Sequence, residues 1–331
     1  MNVIIALTPV LIFLALLQLM DSFKLVSLSS VLKLLCGGAA IAVAGLAVHA
    51  WIIDETAIAH ATLTRYVAPA TEEFLKASLI AVLMWRGRVG FLVDAAVQGF
   101  AIGAGFAVVE NIDYLWQLEG APLALWLVRG LGTAILHGTT TAIFAMVTKA
   151  LMERPGRSVW IALVPGLIAA FAIHSGFNHF VLPPLVMTAI FLAVLPLLII
   201  LVFQQSERTT RDWIGAGLDL DVELLDLVRS EHFAATRFGR YLRELQLRFG
   251  ALIAVDMFCL LRLDLETVVQ AKAKLLARDA GADVPVTDDV QATLREIAYL
   301  QHSIGPTGLL ALEPLQMVSH RDRWHRRLLA G

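Results

Sequence analysis

The chain has 331 residues, 58% of them hydrophobic and only 16% charged, with a mean hydropathy of +0.74. An ordinary soluble domain carries about a quarter charged residues, so an all-soluble chain is excluded. A net charge of −2 and a pI near 6.5 leave no footing for nucleic acid as a partner. The two cysteines, Cys36 and Cys259, fall in different regions, which excludes a disulfide framework and a cysteine-built metal site.

Charge divides the chain. Residues 1–204 hold 10 acids and 10 bases, and residues 205–331 hold 18 acids and 16 bases. The expected fold class is therefore all-α, a polytopic transmembrane bundle over 1–204 followed by a small helical soluble domain over 205–331. A bilayer crossing takes about 20 apolar residues as helix. Seven stretches qualify, near 3–20, 31–53, 67–85, 91–112, 123–148, 158–181 and 185–203. The first has no basic leader and no small-residue cleavage site before Asp21, so it reads as a retained helix. Pro183-Pro184 marks a tight turn between the last two.

Loop charge sets the orientation. Lys24, Arg86, Arg88, Lys149, Arg154, Arg157, Arg208 and Arg211 fall in alternate loops, while Asp54, Glu55, Asp113 and Glu119 dominate the others. This predicts an external N-terminus and a cytoplasmic tail.

Polar residues within the spans carry the chemistry, because a charge at a helix centre costs about 2.5–3.5 kcal/mol on insertion scales. In span two, His49 has no polar companion on its face and reads as interfacial. Span three contains Glu72, Glu73 and Lys76, with the lysine within helical reach of both acids. One carboxylate is left over, which a simple interfacial anchor does not require. Span four contains Phe106, Glu110 and Asn111. Ala95, Gly99, Gly103 and Ala107 form a small-residue ladder on nearly the same face as Glu110, so that carboxylate is predicted to point at other helices. Span five brings Arg129 and His137, the latter deeper than the rest. Span six brings His174 and Asn178 on one face, with His179 about 100° away at the membrane exit. The acids, histidines and amide gather in the outer part of the membrane and are expected to line one cavity, with the two histidines within about 8 Å, close enough to share a water or metal.

These segments resemble the PrsW family, grouped with the CAAX prenyl endopeptidases and bacterial Abi proteins among the intramembrane proteases. The residues that carry the resemblance are Glu72-Glu73-x-x-Lys76, Phe106-x-x-x-Glu110-Asn111, His137 and His174-x-x-x-Asn178, in order on four consecutive helices. The resemblance covers about residues 66–182. It implies an endopeptidase that cuts a membrane-anchored protein near the outer surface, as relatives cut anti-sigma factors, with the lipid bilayer as its medium. The implied catalytic set is Glu72, Glu73, Glu110, His137, His174 and Asn178, supported by Lys76, Phe106, Asn111 and Arg129.

Two mechanisms fit those residues. In one, His137, His174 and Glu110 bind zinc while Glu72 or Glu73 activates water. In the other, a glutamate is the base and no metal is needed. The absence of an HExxH pattern tilts the sequence reading toward the metal-free version. A proton- or ion-coupled transporter is the alternative function for intramembrane acids and histidines, but the paired internal repeats common in transporters are not seen.

In the tail, amphipathic patterns predict helices at 218–228, 233–249, 251–278 and 290–301, with a loop over 281–289. Arg237, Arg240 and Arg243 form a basic stripe that reads as a solvated face or a contact with anionic lipid.

Overall fold

A computed structural model describes residues 2–23, 26–153, 158–282, 288–315 and 329. Lys24, Arg154 and Arg157, which enter the loop-charge reading, lie outside the described residues, as does most of the loop expected at 281–289. The described residues are helical with short connections, and no strand occurs among them. The chain divides into two compact units, Met1–Arg208 and Thr209–Gly331.

The first unit is built from α1 (Asn2–Met20), α2 (Leu28–Glu55), α3 (Ala68–Trp85), α4 (Leu92–Gln117), α5 (Ala134–Met152) and α6 (Val159–Asn178), and from the start of α7 (Pro184–Arg229). Among the described residues, six helical stretches are long and apolar enough to cross a membrane, and α3 is not one of them. It reaches 18 residues, but Glu72, Glu73 and Lys76 lie inside it, all buried. It carries charge into the apolar layer.

The central helix is α4, buried on nearly all sides over Val93–Ala107. Its glycines allow contact on two faces. A Cβ at Gly99 would lie 2.7 Å from the Thr141 carbonyl oxygen, and one at Gly103 would lie 2.6 Å from the carbonyl carbon of His137. On the other side a Cβ at Gly38 of α2 would lie 2.8 Å from the carbonyl carbon of Ile102. No residue with a side chain fits at these crossings without pushing the helices apart.

The run into α3 begins earlier than the hydropathy pattern predicts, whereas the run into α5 begins at the expected residue. A turn at His60–Thr62 and a π-helical turn at Leu63–Val67 run directly into α3. Likewise, a turn at Leu123–Leu127 and a π-helical turn at Val128–Thr133 run directly into α5. At about 1.5 Å per residue, Glu72 and His137 each lie roughly 20 Å from the start of their helical run. His137, which looked too deep in the sequence, is thus level with the acids. Wide π turns inside long helices recur at functional sites. Here the π turn ahead of α3 is held by α6, where Ser175 Oγ donates to the Arg65 carbonyl (2.6 Å) and Asn178 Nδ2 to the Thr64 carbonyl (3.0 Å).

In the second unit the break expected between residues 203 and 218 is absent, since α7 continues to Arg229. Then come a 3-10 turn at Glu231–Ala235, α8 (Arg237–Phe249), α9 (Ala251–Asp279) and α10 (Asp288–Leu312), which is kinked at Gly305 (φ 71°) ahead of Pro306. Leu242, Leu245, Met257, Leu260, Ile297 and Leu300 form its core. Arg237, Arg240 and Arg243 are exposed. Arg240 and Arg243 donate to the Ala235 and Ala234 carbonyls of the preceding turn.

Candidate active site

Four helices bring the polar residues of the first unit together. The α3 acids take different partners. Glu73 Oε1 accepts from Lys76 Nζ (2.6 Å), from Thr140 Oγ1 (3.1 Å) and from His174 Nδ1 (2.8 Å). Glu72 turns the other way. Its Oε2 is buried without a hydrogen bond, 3.9 Å from His137 Nδ1 and 3.9 Å from His174 Nε2. The histidine rings meet edge to face with centroids 4.8 Å apart, well inside the separation expected for a shared water or metal.

Each imidazole is held from behind by a carboxylate. His137 Nε2 is 2.9 Å from Glu110 Oε2, and His174 Nδ1 is held by Glu73. Carboxylates only accept when ionised, so the N–H of each ring points at its glutamate. The remaining nitrogens, His137 Nδ1 and His174 Nε2, then face Glu72 with lone pairs. Lys76 Nζ lies 3.1 Å from His137 Nδ1, so an ammonium supplies positive charge at this point. Phe106 packs on the His137 ring, with centroids 5.1 Å apart, and under Lys76 Nζ at 5.0 Å.

Glu110 does not join the converging atoms. Its Oε2 is 2.9 Å from Arg129 Nη2, while Arg129 Nε donates to Asn111 Oδ1 at 3.0 Å. The guanidinium stacks on Tyr114, 3.6 Å from the ring centroid. Three buried carboxylates are thus set against Lys76 and Arg129, and one formal negative charge is left over. Such a group is stable away from water only with near-complete pairing, and the unpaired atom is Glu72 Oε2.

A cavity of about 600 Å³ opens beside this cluster, among Glu72, Glu110, Arg129, His174, Asn178 and Tyr114. The sequence placed His137 and Glu73 on the same wall. Neither is there, and both are almost wholly buried, one layer behind it. Asn178 is on the wall, with its amide N–H committed to the π turn ahead of α3. His179 faces outward, bonded to the Ser175 carbonyl and to Tyr66.

His49 was misread from the sequence. It lines the cavity, with Nε2 2.7 Å from Thr71 Oγ1 and Nδ1 4.0 Å from Glu72 Oε1. The Thr71 hydroxyl donates to the Val67 and Ala68 carbonyls. His49 Nε2 is therefore the donor of that pair, and Nδ1 presents a lone pair to the cavity. A signal was available. Gly38, Ala42 and Gly45 precede His49 on one helical stripe, the same pattern that aimed Glu110 inward on α4.

Residues 25–203, more than half of the chain, match the family model described as PrsW family intramembrane metalloprotease. The chain belongs to the PrsW family. It is an intramembrane protease, embedded in a bilayer through its apolar helices. No curated protein and no solved structure matches it. The PrsW match ends at the close of the first unit's apolar helices and leaves out α1 and the second unit.

The donors suit a divalent metal. Glu72, His137 and His174 each offer one ligand atom, all within 4.8 Å of one another. One carboxylate with two imidazoles is a known catalytic zinc set with an open position, and histidine ligands usually give their second N–H to a carboxylate. Both features are present in this PrsW chain, together with an orphaned carboxylate oxygen at the point of convergence.

Proposed function

We propose that the chain hydrolyses a peptide bond of a membrane-anchored protein near the outer face of the membrane, with Glu72, His137 and His174 holding a divalent metal, zinc by donor type. The observation that carries this reading is the convergence of Glu72 Oε2 with the lone pairs of His174 Nε2 and of His137 Nδ1, the latter also within reach of Lys76 Nζ. It departs from the ligand set read in the sequence by replacing Glu110 with Glu72. It also moves the balance from the metal-free mechanism toward the metal, in line with the family's description.

When bound, the metal lowers the pKa of water and polarises the scissile carbonyl. The protein's own groups do the rest. Glu73 and Glu110 fix the tautomer and aim of the two imidazoles. Glu110 holds Arg129 and His137 through Oε2 and lines the cavity, which leaves its other carboxylate oxygen open to proton exchange with water in the cavity. The apolar surroundings keep bulk water from these charges. The cavity is bordered by residues 60–65 and 113–117, the end that loop charge assigns to the outside. By family resemblance, a single-span protein of the anti-sigma-factor kind is the substrate class.

The test uses purified full-length protein in proteoliposomes with a panel of single-span reporter proteins. Wild type carries about one zinc per chain, loses cleavage on chelation and regains it with zinc. Glu72→Gln and His174→Gln lose both the metal and the activity. Full cleavage by metal-free wild type overturns the metal assignment. Cleavage of no reporter, with solute or ion movement that Glu72→Gln abolishes, overturns the protease reading itself.

A further inference from the structure

The first helix lies outside the matched region, yet it touches the site. Asn111 Nδ2 donates to the Ala6 carbonyl of α1 at 2.7 Å. Asn111 Oδ1 accepts from Arg129 Nε at 3.0 Å, Arg129 Nη2 meets Glu110 Oε2 at 2.9 Å, and Glu110 Oε2 accepts from His137 Nε2 at 2.9 Å. Four short contacts join the backbone of α1 to the ring of His137. Ala6, Asn111, Arg129 and His137 are all buried, and only the Glu110 and Arg129 links border the cavity.

The Ala6 carbonyl is an unusual anchor. A helical carbonyl normally accepts from the residue one turn on, and here it takes a side-chain amide as well. That approach needs α1 to lie almost on top of the π turn that contains Arg129. Gly130 permits it, because a Cβ there would lie 2.8 Å from the Ile5 carbonyl carbon and 3.1 Å from Ala6 Cα. Ala6 is completely buried at this crossing, at the start of a buried stripe that continues through Val10, Leu14 and Leu17, whereas most of α1 is open.

We propose that α1 is a working part of the active site. Its Ala6 carbonyl orients Asn111, which fixes Arg129, which fixes the Glu110 carboxylate that sets the tautomer and aim of His137. Asn111 and Arg129 are positioning residues, and Gly130 is the residue that lets α1 reach them. The inference rests on the reading of His137 as a metal ligand for its functional consequence, but the chain of contacts is defined without the metal.

The experiment is run on full-length protein in detergent micelles with ¹⁵N-labelled histidine. In the metal-free wild type, the resonance assigned to His137 by its loss in His137→Gln shows the Nε2–H tautomer alone. In Asn111→Leu, Arg129→Lys and Gly130→Ala it becomes a mixture. Zinc affinity, measured by competition with a chelator, falls 10- to 100-fold, the usual range for outer-shell partners. Saturating zinc restores most of the cleavage. Gly130→Ala acts from the α1 side without removing a polar group, and Arg129→Lys keeps the charge while losing the fork, so misfolding of Asn111→Leu leaves two folded tests. An unchanged His137 tautomer in folded Arg129→Lys and Gly130→Ala overturns the proposal, as does wild-type zinc affinity in both. Wild type that binds no zinc while the tautomer still responds to these substitutions overturns the metal reading and upholds the role of α1.

Discussion

Gly103→Ala is the sharpest test of how the helices set the site. The added Cβ meets the His137 carbonyl carbon at 2.6 Å and Gly138 Cα at 2.8 Å, where relaxed carbon contacts run about 3.5–4.0 Å. Relief requires α4 and α5 to separate by about 1 Å. The residue pushed is His137 itself, whose ring makes contacts of 2.9 Å to Glu110 and 3.1 Å to Lys76. A displacement of that size takes both beyond hydrogen-bonding range. Misplacement by about 1 Å costs on the order of 10²-fold in rate, and overpacking costs about 1–3 kcal/mol of stability. Cleavage of a single-span reporter, normalised to folded protein from a melting curve, gives both numbers. Gly176→Ala is the matched control, because a Cβ there meets nothing within 4 Å. Wild-type cleavage and melting by Gly103→Ala would refute the claim that α4 and α5 fix the site at this crossing.

Other substitutions separate the roles of single groups. Glu73→Gln keeps an acceptor for His174 but removes the charge facing Lys76, so zinc affinity should fall about 10- to 100-fold; undiminished affinity with turnover lowered 10²-fold or more would instead make Glu73 the base. Lys76→Met leaves Glu73 buried without its cation and should cost about 3–5 kcal/mol, read as a lowered melting temperature in detergent. His49→Gln retains a donor to Thr71 and loses the ring nitrogen facing the cavity, which predicts a fall of up to about tenfold in kcat/KM, the scale of one hydrogen bond, at unchanged zinc affinity. With Cys36 and Cys259 replaced, a cysteine at Glu119 should react with an impermeant maleimide in intact cells and one at Arg88 should not; the reverse pattern would invert the assigned orientation.

The sequence by itself determined that this is a membrane-embedded helical protein, and it singled out Glu72, Glu73, Glu110, His137 and His174, which the fold gathers in one cluster. Apolar length and the cost of intramembrane charge act residue by residue, so both are readable along one dimension. Spacing of three and four also revealed that Lys76 neutralises an acid of its own helix. Four decisions belonged to the tertiary structure. Neighbouring acids on one helix point about 100° apart, and only the placement of α5 and α6 determined that Glu73 faces Lys76 and His174 while Glu72 faces the cavity. Glu110 was drawn behind His137 because Arg129, from a π turn with no hydropathy signature, holds it there. His49 gained partners only when α2 was set beside α3. The reach of α1 to Asn111 crosses 105 residues of sequence through a backbone carbonyl, a group every residue has and no sequence pattern marks.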